Sequence, residues 1–363
     1  MKTIQPIEPG QEWTVELFQP EDAPGVTSLF RDVYGDGYPV RTYLDEDLLI
    51  RENTAGRVIS SVARTTRGDI VGHNALFNSA PYPKTFESGA GLVHRDYRGG
   101  HGIFTRMVSH GLDMGRQSGV EQAFGEPVCN HPFSQRLCHS QGFVTRAVEV
   151  NLMPAAAYTR EASAAGRVTT LLDFCTLIPK PCDVYVPKAY EALFPVFYET
   201  MDDQRRFLPS EHPLPSGVNT RLSTQTFSFA QVARVAVTEP GHDFSQAIRA
   251  EEERLLTNGI RVIQAWLPTG LSWVGQAVDI LRARGYFFGG VLPRWFDTDG
   301  LLMEKVLDVP DWQSMLVHFD RGRELAALVR TDWERTCQIP GHDREPLPKD
   351  PDRSGGLSTG EAS

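Results

Sequence analysis

No run of about 18 consecutive apolar residues occurs in this chain, so nothing in it reads as a membrane-spanning helix. The opening residues, MKTIQPIEPGQEW, lack the apolar centre of a secretory signal, and the expected location is the cytoplasm. Cysteine is scarce. Cys129, Cys138, Cys175, Cys182 and Cys337 form no CxxC, and their odd number argues against a disulfide framework. The histidines are scattered, with no HExxH and no paired zinc spacing, so no metal is expected. A GxSxG nucleophile turn is missing, as is the P-loop spacing GxxxxGK[ST]. The first strand-like stretch, EWTVELFQPEDAPG, lacks the glycine fingerprint of a nucleotide-dependent oxidoreductase. Positive charge is also in deficit: 36 Lys and Arg stand against 46 Asp and Glu, a formal net charge of −10. Such a field does not attract nucleic acid or anionic membrane, and it mildly favours a cationic acceptor such as an amine.

What remains describes an ordinary globular chain. At 363 residues it exceeds the usual size of one domain, and two compact units are expected. Glu12–Gln19 alternates like a strand, and PEDAPGVTSLFRDVYG reads as a helix with acidic residues in its first turn. An aromatic loop follows, with Tyr34, Tyr38 and Tyr43. Arg57–Arg64 and Asp69–Ser79 are β-rich runs joined by the turn-like TTRG, and Phe86–Val93 is a further strand. From Gly102 the apolar positions Ile103, Phe104, Met107, Val108, Gly111 and Leu112 recur at helical spacing. Val120–Val128 resumes as a strand, HPFSQRLCHSQGF is a short helix capped at Gly142, and Ala147–Met153 is a last strand.

The domain expectation is one unit over 12–154, a small polar linker over 155–167, and a second unit over 168–336. The second unit's AVDILRARGYFFGGVLP echoes SQRLCHSQGFVTRAVEVNLMP of the first, which suggests a tandem duplication. A helix is expected at Trp312–Glu334. The Pro-, Gly- and Asp-rich tail, 340–363, is expected to be disordered.

Leu92–Met107, LVHRDYRGGHGIFTRM, places a basic glycine-rich elbow between a strand and a helix. A helix amino terminus offers unpaired N–H groups and a partial positive charge, glycines let the backbone curl towards an anion, and Arg98 adds a cation. The elbow reads as a pyrophosphate cradle. A plain glycine turn is the equal alternative on these residues alone.

The first half resembles the GCN5-related N-acetyltransferase superfamily in three places: the approach VHRDYRG, the helix start GIFTRM, and NHPFSQRLCHSQGF with its Gly-Phe ending. Over Val168–Leu307 a weaker likeness suggests a second, degenerate copy. The resemblance implies an α+β three-layer fold of two such domains, each with a mixed, mainly antiparallel sheet flanked by helices. It implies acetyl-CoA as donor. The strand backbone at Leu92 and Val93 would pair with the pantetheine arm, and amides from Arg98 through Gly99, Gly100, His101 and Gly102 to Ile103 would hold the pyrophosphate. Here Gly102 stands four residues after Arg98, one more than the family spacing. The second half has no Arg-Gly elbow, so it is not expected to bind CoA.

The same resemblance supplies catalytic candidates. A base often sits on the strand before the elbow, where Glu87 lies, and Glu126 is a second acceptor-facing carboxylate. The family's acid tyrosine, four residues before the Gly of Gly-Phe, falls on Cys138. Asn130 and His131 occupy positions that contact CoA or the acceptor. The tyrosine loop would wall the acceptor site. Bland readings stand beside each: a surface carboxylate, a buried thiol, a loop cap.

The expected activity is acetyl transfer from acetyl-CoA to a small-molecule or peptide amine by direct attack, since no dedicated nucleophile is evident. A non-catalytic acyl-CoA-binding or interaction protein is the competing class, and turnover with an amine separates them. The oligomeric state is left open by the sequence, with a homodimer one arrangement.

Overall fold

The computed structural model describes residues 7–99, 102–154, 166–201 and 204–338. The expected linker, apart from its last two residues, and the whole expected tail lie outside the described residues, as do Gly100 and His101 of the elbow.

The chain begins with β1 (Trp13–Leu17), α1 (Ala23–Tyr34) and α2 (Glu46–Thr54). The second helix has no apolar periodicity strong enough to announce it. Its start is set by Asp45, whose side chain accepts from the Leu48 N–H at 3.0 Å, with Glu46 and Asp47 in the first turn. β2 (Val58–Thr65) and β3 (Ile70–Asn78) form a hairpin closed at Gly68, and β4 (Thr85–Val93) continues the antiparallel run. Then come α3 (Ile103–Gln117), β5 (Gln122–Gly125), α4 (Phe133–Ser140), β6 (Val144–Pro154) and β7 (Arg167–Thr176). The strand expected over Val120–Val128 is thus cut to four residues. Val120 N closes the α3 terminus on Gly115 O, and beyond Gly125 the backbone turns out of the ladder.

After β7 the chain forms β8 (Cys182–Val186), α5 (Phe194–Tyr198) and β9 (Arg205–Pro209); β8 and β9 make a separate parallel pair. There follow β10 (Arg221–Phe227), β11 (Val232–Glu239), α6 (Phe244–Thr257), β12 (Val262–Pro268), α7 (Val274–Ala283), β13 (Phe287–Leu292), β14 (Gly300–Val306) and α8 (Asp320–Thr336). The helix expected from Trp312 starts eight residues later. Asp311 accepts from the Gln313 and Ser314 N–H groups, and Leu316 N donates to Cys129 O, so this backbone is already committed elsewhere.

Twelve strands form one sheet in the order β1-β2-β3-β4-β5-β7-β6-β13-β14-β12-β11-β10. β6 and β7 pair with each other across the segment expected to be a linker, and β7 also pairs with β5. The strand at Val168 therefore completes the first half's sheet. The order reads alike from both ends. An antiparallel hairpin (β3–β4, β10–β11) leads to a parallel pair (β4–β5, β11–β12), then to β7 or β14, then to β6 or β13. The two series meet where β13 pairs with β6 at Gly290 and Ala147. Only glycine fits there: its φ is +141°, and a Cβ would lie 2.4 Å from Ala147 Cα. The largest apolar cluster lies under the second series and reaches into β6 through Val148 and Val150.

Candidate active site

β4 pairs with β5 only over Thr85–Glu87 against Gln122–Phe124. Beyond Glu87 the nine-residue β4 continues to Val93 while β5 stops at Gly125, and among the described residues no strand takes its place. A wedge-shaped gap opens on that side of β4. Its cause is a bulge: His73 faces Leu92 and Ala75 faces Gly89, so Ala90 and Gly91 together oppose the single residue Asn74.

Backbone alternation fixes what faces the gap. His94 N donates to Val71 O at 2.8 Å, so His94 and Leu92 exchange hydrogen bonds with β3, and the polar groups of Val93 turn towards the gap. Of the two expected strand contacts, Leu92 is core, while Val93 presents an N–H. Its carbonyl accepts from Arg98 Nε at 2.8 Å. The Arg98 side chain is thus folded back onto the strand while the residue stays exposed.

The described part of the elbow behaves as its glycines require. Gly99 and Gly102 have φ of +89° and +68°, and Gly102 begins α3 with no side chain capping it. The amides of Ile103, Phe104 and Thr105 precede the first helical bond, from Arg106 N to Gly102 O at 3.0 Å, and so lack a partner within the helix, as an anion would need. Gly91 lets Phe104 lie across β4, since a Cβ there would sit 2.2 Å from the ring.

At the apex of the gap three elements converge. A Cβ placed on Gly125 would lie 3.5 Å from Cys138 Sγ and 3.9 Å from Ser88 O, so the α4 thiol sits at the point where β4 leaves β5. Burial pushes the Cys138 thiol well up, and the Asp173 charge adds to it. It holds its proton, is no thiolate nucleophile, and is a weak acid for a departing thiolate. Iodoacetamide at pH 7.5 is expected to alkylate exposed Cys337 at least about tenfold faster than Cys138, followed by mass spectrometry. Faster labelling of Cys138 would restore a covalent acyl-enzyme to consideration.

Glu87 points to the opposite face from Phe86 and Ser88. Its carboxylate accepts from Ser79 Oγ at 2.8 Å. The residue keeps some accessible surface, yet protein atoms surround the carboxylate. Burial, and then the charge of Glu126, push it up to about 8, against the pull of Ser79 and Arg234. A carboxylate so shifted is a usable base near neutral pH. The tyrosine loop stands beside it. Tyr34 stacks on Tyr38 at 4.9 Å and Phe30 on Tyr43 at 4.8 Å. Tyr43 is buried, whereas Tyr34 is 45% exposed. Burial raises both Tyr38 and Tyr43, and the Glu87 charge contributes to each.

Asn130 and His131 lie in the loop from β5 to α4. Gln135 Nε2 donates to Val128 O and to Leu316 O, which pins that loop to the segment before α8. The His131 ring lies 5.5 Å from that of Phe133, itself 72% exposed. The pair thus stands at the amino end of α4, whereas Cys138 and Glu87 meet the apex.

Sequence reasoning missed Arg234, Glu149, Gln264 and Glu304. Arg234 donates to Glu126 at 2.7 Å, to Glu149 at 3.2 Å and to Gln264 at 3.0 Å. Gln264 reaches Glu149 at 2.8 Å and Glu304 at 3.3 Å, and Thr170 donates to Glu149 at 2.9 Å. This network crosses the seam between the two series of strands. Burial raises Glu149 and Glu304, and works against the charge of Arg234, which the surrounding carboxylates nevertheless hold firmly. A signal existed for three of them: Arg234, Glu149 and Glu304 are charges inside apolar strands, as in VARVAV, AVEVNLM and LLMEKV, and buried charges are paired.

The counterpart elbow, Pro240–Asp243, is occupied by the chain itself. Gly241 N donates to Thr220 Oγ1 at 2.9 Å, His242 N to Val218 O at 3.3 Å, and Thr220 N to Asp243 Oδ1 at 2.7 Å. β11 and β12 stay paired from Val232 to Ala236, without the early parting of β4 and β5. An open cavity of about 350 Å3 lined by Pro181, Cys182, Asp183, Gln204, Arg205 and Arg206 lies at the separate β8–β9 pair.

The chain matches no protein-family model and no curated protein sequence. Among solved structures it is similar to an N-acetyltransferase from Staphylococcus aureus Mu50, at 14% identity and TM-score 0.38, over 46% of this chain and 99% of that one. It is similar to a ribosomal-protein-S5-alanine acetyltransferase from Vibrio fischeri, at 15% identity and TM-score 0.36, over 45% of this chain and 92% of that one. It is also similar to a GNAT superfamily phosphinothricin acetyltransferase from Sinorhizobium meliloti in complex with AcCoA, at 19% identity and TM-score 0.37, over 46% and 89% respectively. Each likeness spans less than half of this chain.

Proposed function

We propose that this chain is an acyl-CoA-dependent N-acyltransferase that moves an acetyl group from acetyl-CoA to an amine by direct attack. The observation that carries this reading is the gap between β4 and β5, open at one end on a glycine elbow and closed at the other beside Glu87 and Cys138. A pantetheine arm laid along β4 would take the Val93 N–H in place of a strand, and the elbow and first α3 amides would hold the pyrophosphate. The thioester would then reach the apex. The amine nitrogen attacks the carbonyl carbon, Glu87 takes its proton, and the C–S bond breaks to release CoA as a thiolate that takes a proton from solvent.

The tyrosine loop would wall the acceptor side. The second series of strands reads as a degenerate copy of the first, because it repeats the pairing pattern yet fills its own elbow with Val218–Thr220. Its role is to complete the acceptor side through Arg234, which stands third in β11 as Glu87 stands third in β4. Domain limits then follow the sheet, with the first unit running through β7.

Calorimetric titration with acetyl-CoA, with 3′,5′-ADP as a fragment control, tests the donor half of the proposal. Micromolar binding is expected, falling at least about tenfold in Gly102→Glu, which sets an anion and a strained φ at the α3 terminus. No binding at millimolar ligand would sink the reading. Binding without thiol release across a panel of amines would leave a non-catalytic acyl-CoA-binding protein.

A further inference from the structure

The bulge that parts β4 from β5 is held by a residue with no place in the chemistry. Two residues of β4, Ala90 and Gly91, oppose one of β3, which breaks the regular ladder at this point. Ala90 also has a φ of +49°, a conformation that costs a residue with a Cβ and persists only where its surroundings impose it. The imposing group is His73. Its side chain is fully buried, Nδ1 lies 2.9 Å from Ala90 O, and Nε2 lies 3.0 Å from Ser60 Oγ.

A carbonyl only accepts, so Nδ1 carries the proton and Nε2 accepts from the Ser60 hydroxyl. Burial drives the imidazole down to about 4, against the Ala90 bond, so the ring is neutral and this tautomer persists over the working pH range. The relay has a further member: Ser60 N donates to Asn53 Oδ1 at 2.9 Å, which anchors it to α2. The His73 ring also meets Phe30 and Tyr43 edge-on at 5.4 and 5.3 Å. One side chain therefore touches both the bulge of the donor strand and the aromatic base of the tyrosine loop.

We infer that His73 is a positioning residue: its Nδ1–H bond to Ala90 O holds the β4 bulge that turns Val93 towards the gap and ties it to the tyrosine wall. This rests on the acyl-donor reading only where ligand affinity is the readout. Removing the donor would take this bond from the Ala90 carbonyl, and the bulge would relax towards regular pairing.

The experiment uses the full chain with ¹⁵N-histidine labelling, amide hydrogen exchange, and acetyl-CoA titration of wild type, His73→Phe and His73→Gln. The wild-type His73 signal should be that of the neutral Nδ1–H form, unchanged between pH 5.5 and 8.5. In His73→Phe, exchange at Leu92 and His94, whose N–H groups the bulge turns onto β3, should quicken about tenfold or more while core strands keep their protection. The KM for acetyl-CoA should rise about tenfold with the acceptor KM little changed, and His73→Gln, which keeps an N–H donor, should recover part of both effects. An Nε2–H tautomer, or unaltered exchange at Leu92 and His94 in folded His73→Phe, would overturn the inference. If His73→Phe does not fold, the wild-type tautomer and the exchange of His73→Gln decide it. If wild type binds no acetyl-CoA, the acyl-donor reading fails by itself, and tautomer and exchange still judge the bulge.

Discussion

Glu87→Gln is expected to lower kcat by at least about 100-fold while changing acetyl-CoA affinity by no more than about twofold. The amide keeps the shape and can still meet Ser79, but it cannot take the proton of an attacking amine. The donor amides lie along Val93 and the elbow, several residues further down the strand, so ground-state binding of CoA should be spared. The pH profile carries the sharper test. The base works deprotonated and burial holds it near 8, so wild-type kcat/KM should climb with pH and level off above that value. Glu87→Gln should lose that rise. A variant that keeps both its rate and its pH dependence would move the base elsewhere, with Glu126 the first alternative because it is the carboxylate whose charge acts most on Glu87.

How much of this could be read from residues alone follows the range of the interactions. The elbow was legible because its elements are local: Val93, Arg98, Gly102 and the apolar stripe of α3 lie within one short stretch, and each follows its own backbone preference. Glu87 was legible as a position in a strand, but its raised pKa was not, since that comes first from burial by distant parts of the chain and then from the charge of Glu126, against the opposing pull of Arg234. The pairing of β7 with the first half's strands was not legible for a similar reason. β7 is inserted between β5 and β6, a pairing that no turn signal near Val168 reports. The bulge was hidden too, because Ala90 looks like an ordinary strand residue until His73 is known to lie against it. Lone charges in apolar strands were the one long-range clue present in the letters themselves.

Arg234→Met is expected to destabilise the protein by about 3–5 kcal/mol at pH 8, the usual consequence of removing one partner from a buried ionic network. Methionine roughly replaces the apolar stem, which lies by the rings of Phe227 and Trp266 at 5.4 and 5.6 Å, so most of the loss is charge. The sign of the pH dependence follows from the raised carboxyls. Glu87 and Glu149 hold protons in the folded state that the unfolded chain has already released above its ordinary carboxyl range. Their contribution is therefore fully present below about pH 4.5 and is lost as pH rises through their folded values. Without the Arg234 charge their repulsion is offset only by hydrogen bonds, so both values rise further and the loss with pH becomes steeper. The difference between variant and wild type should shrink by roughly half or more at pH 5.5, measured by urea denaturation at each pH. Glu87 should in turn titrate later, moving the rise of kcat/KM to higher pH in whatever activity the folded variant retains. A destabilisation equal at pH 5.5 and 8 would assign the loss to packing around Phe227 and Trp266 and would remove Arg234 from any control over Glu87.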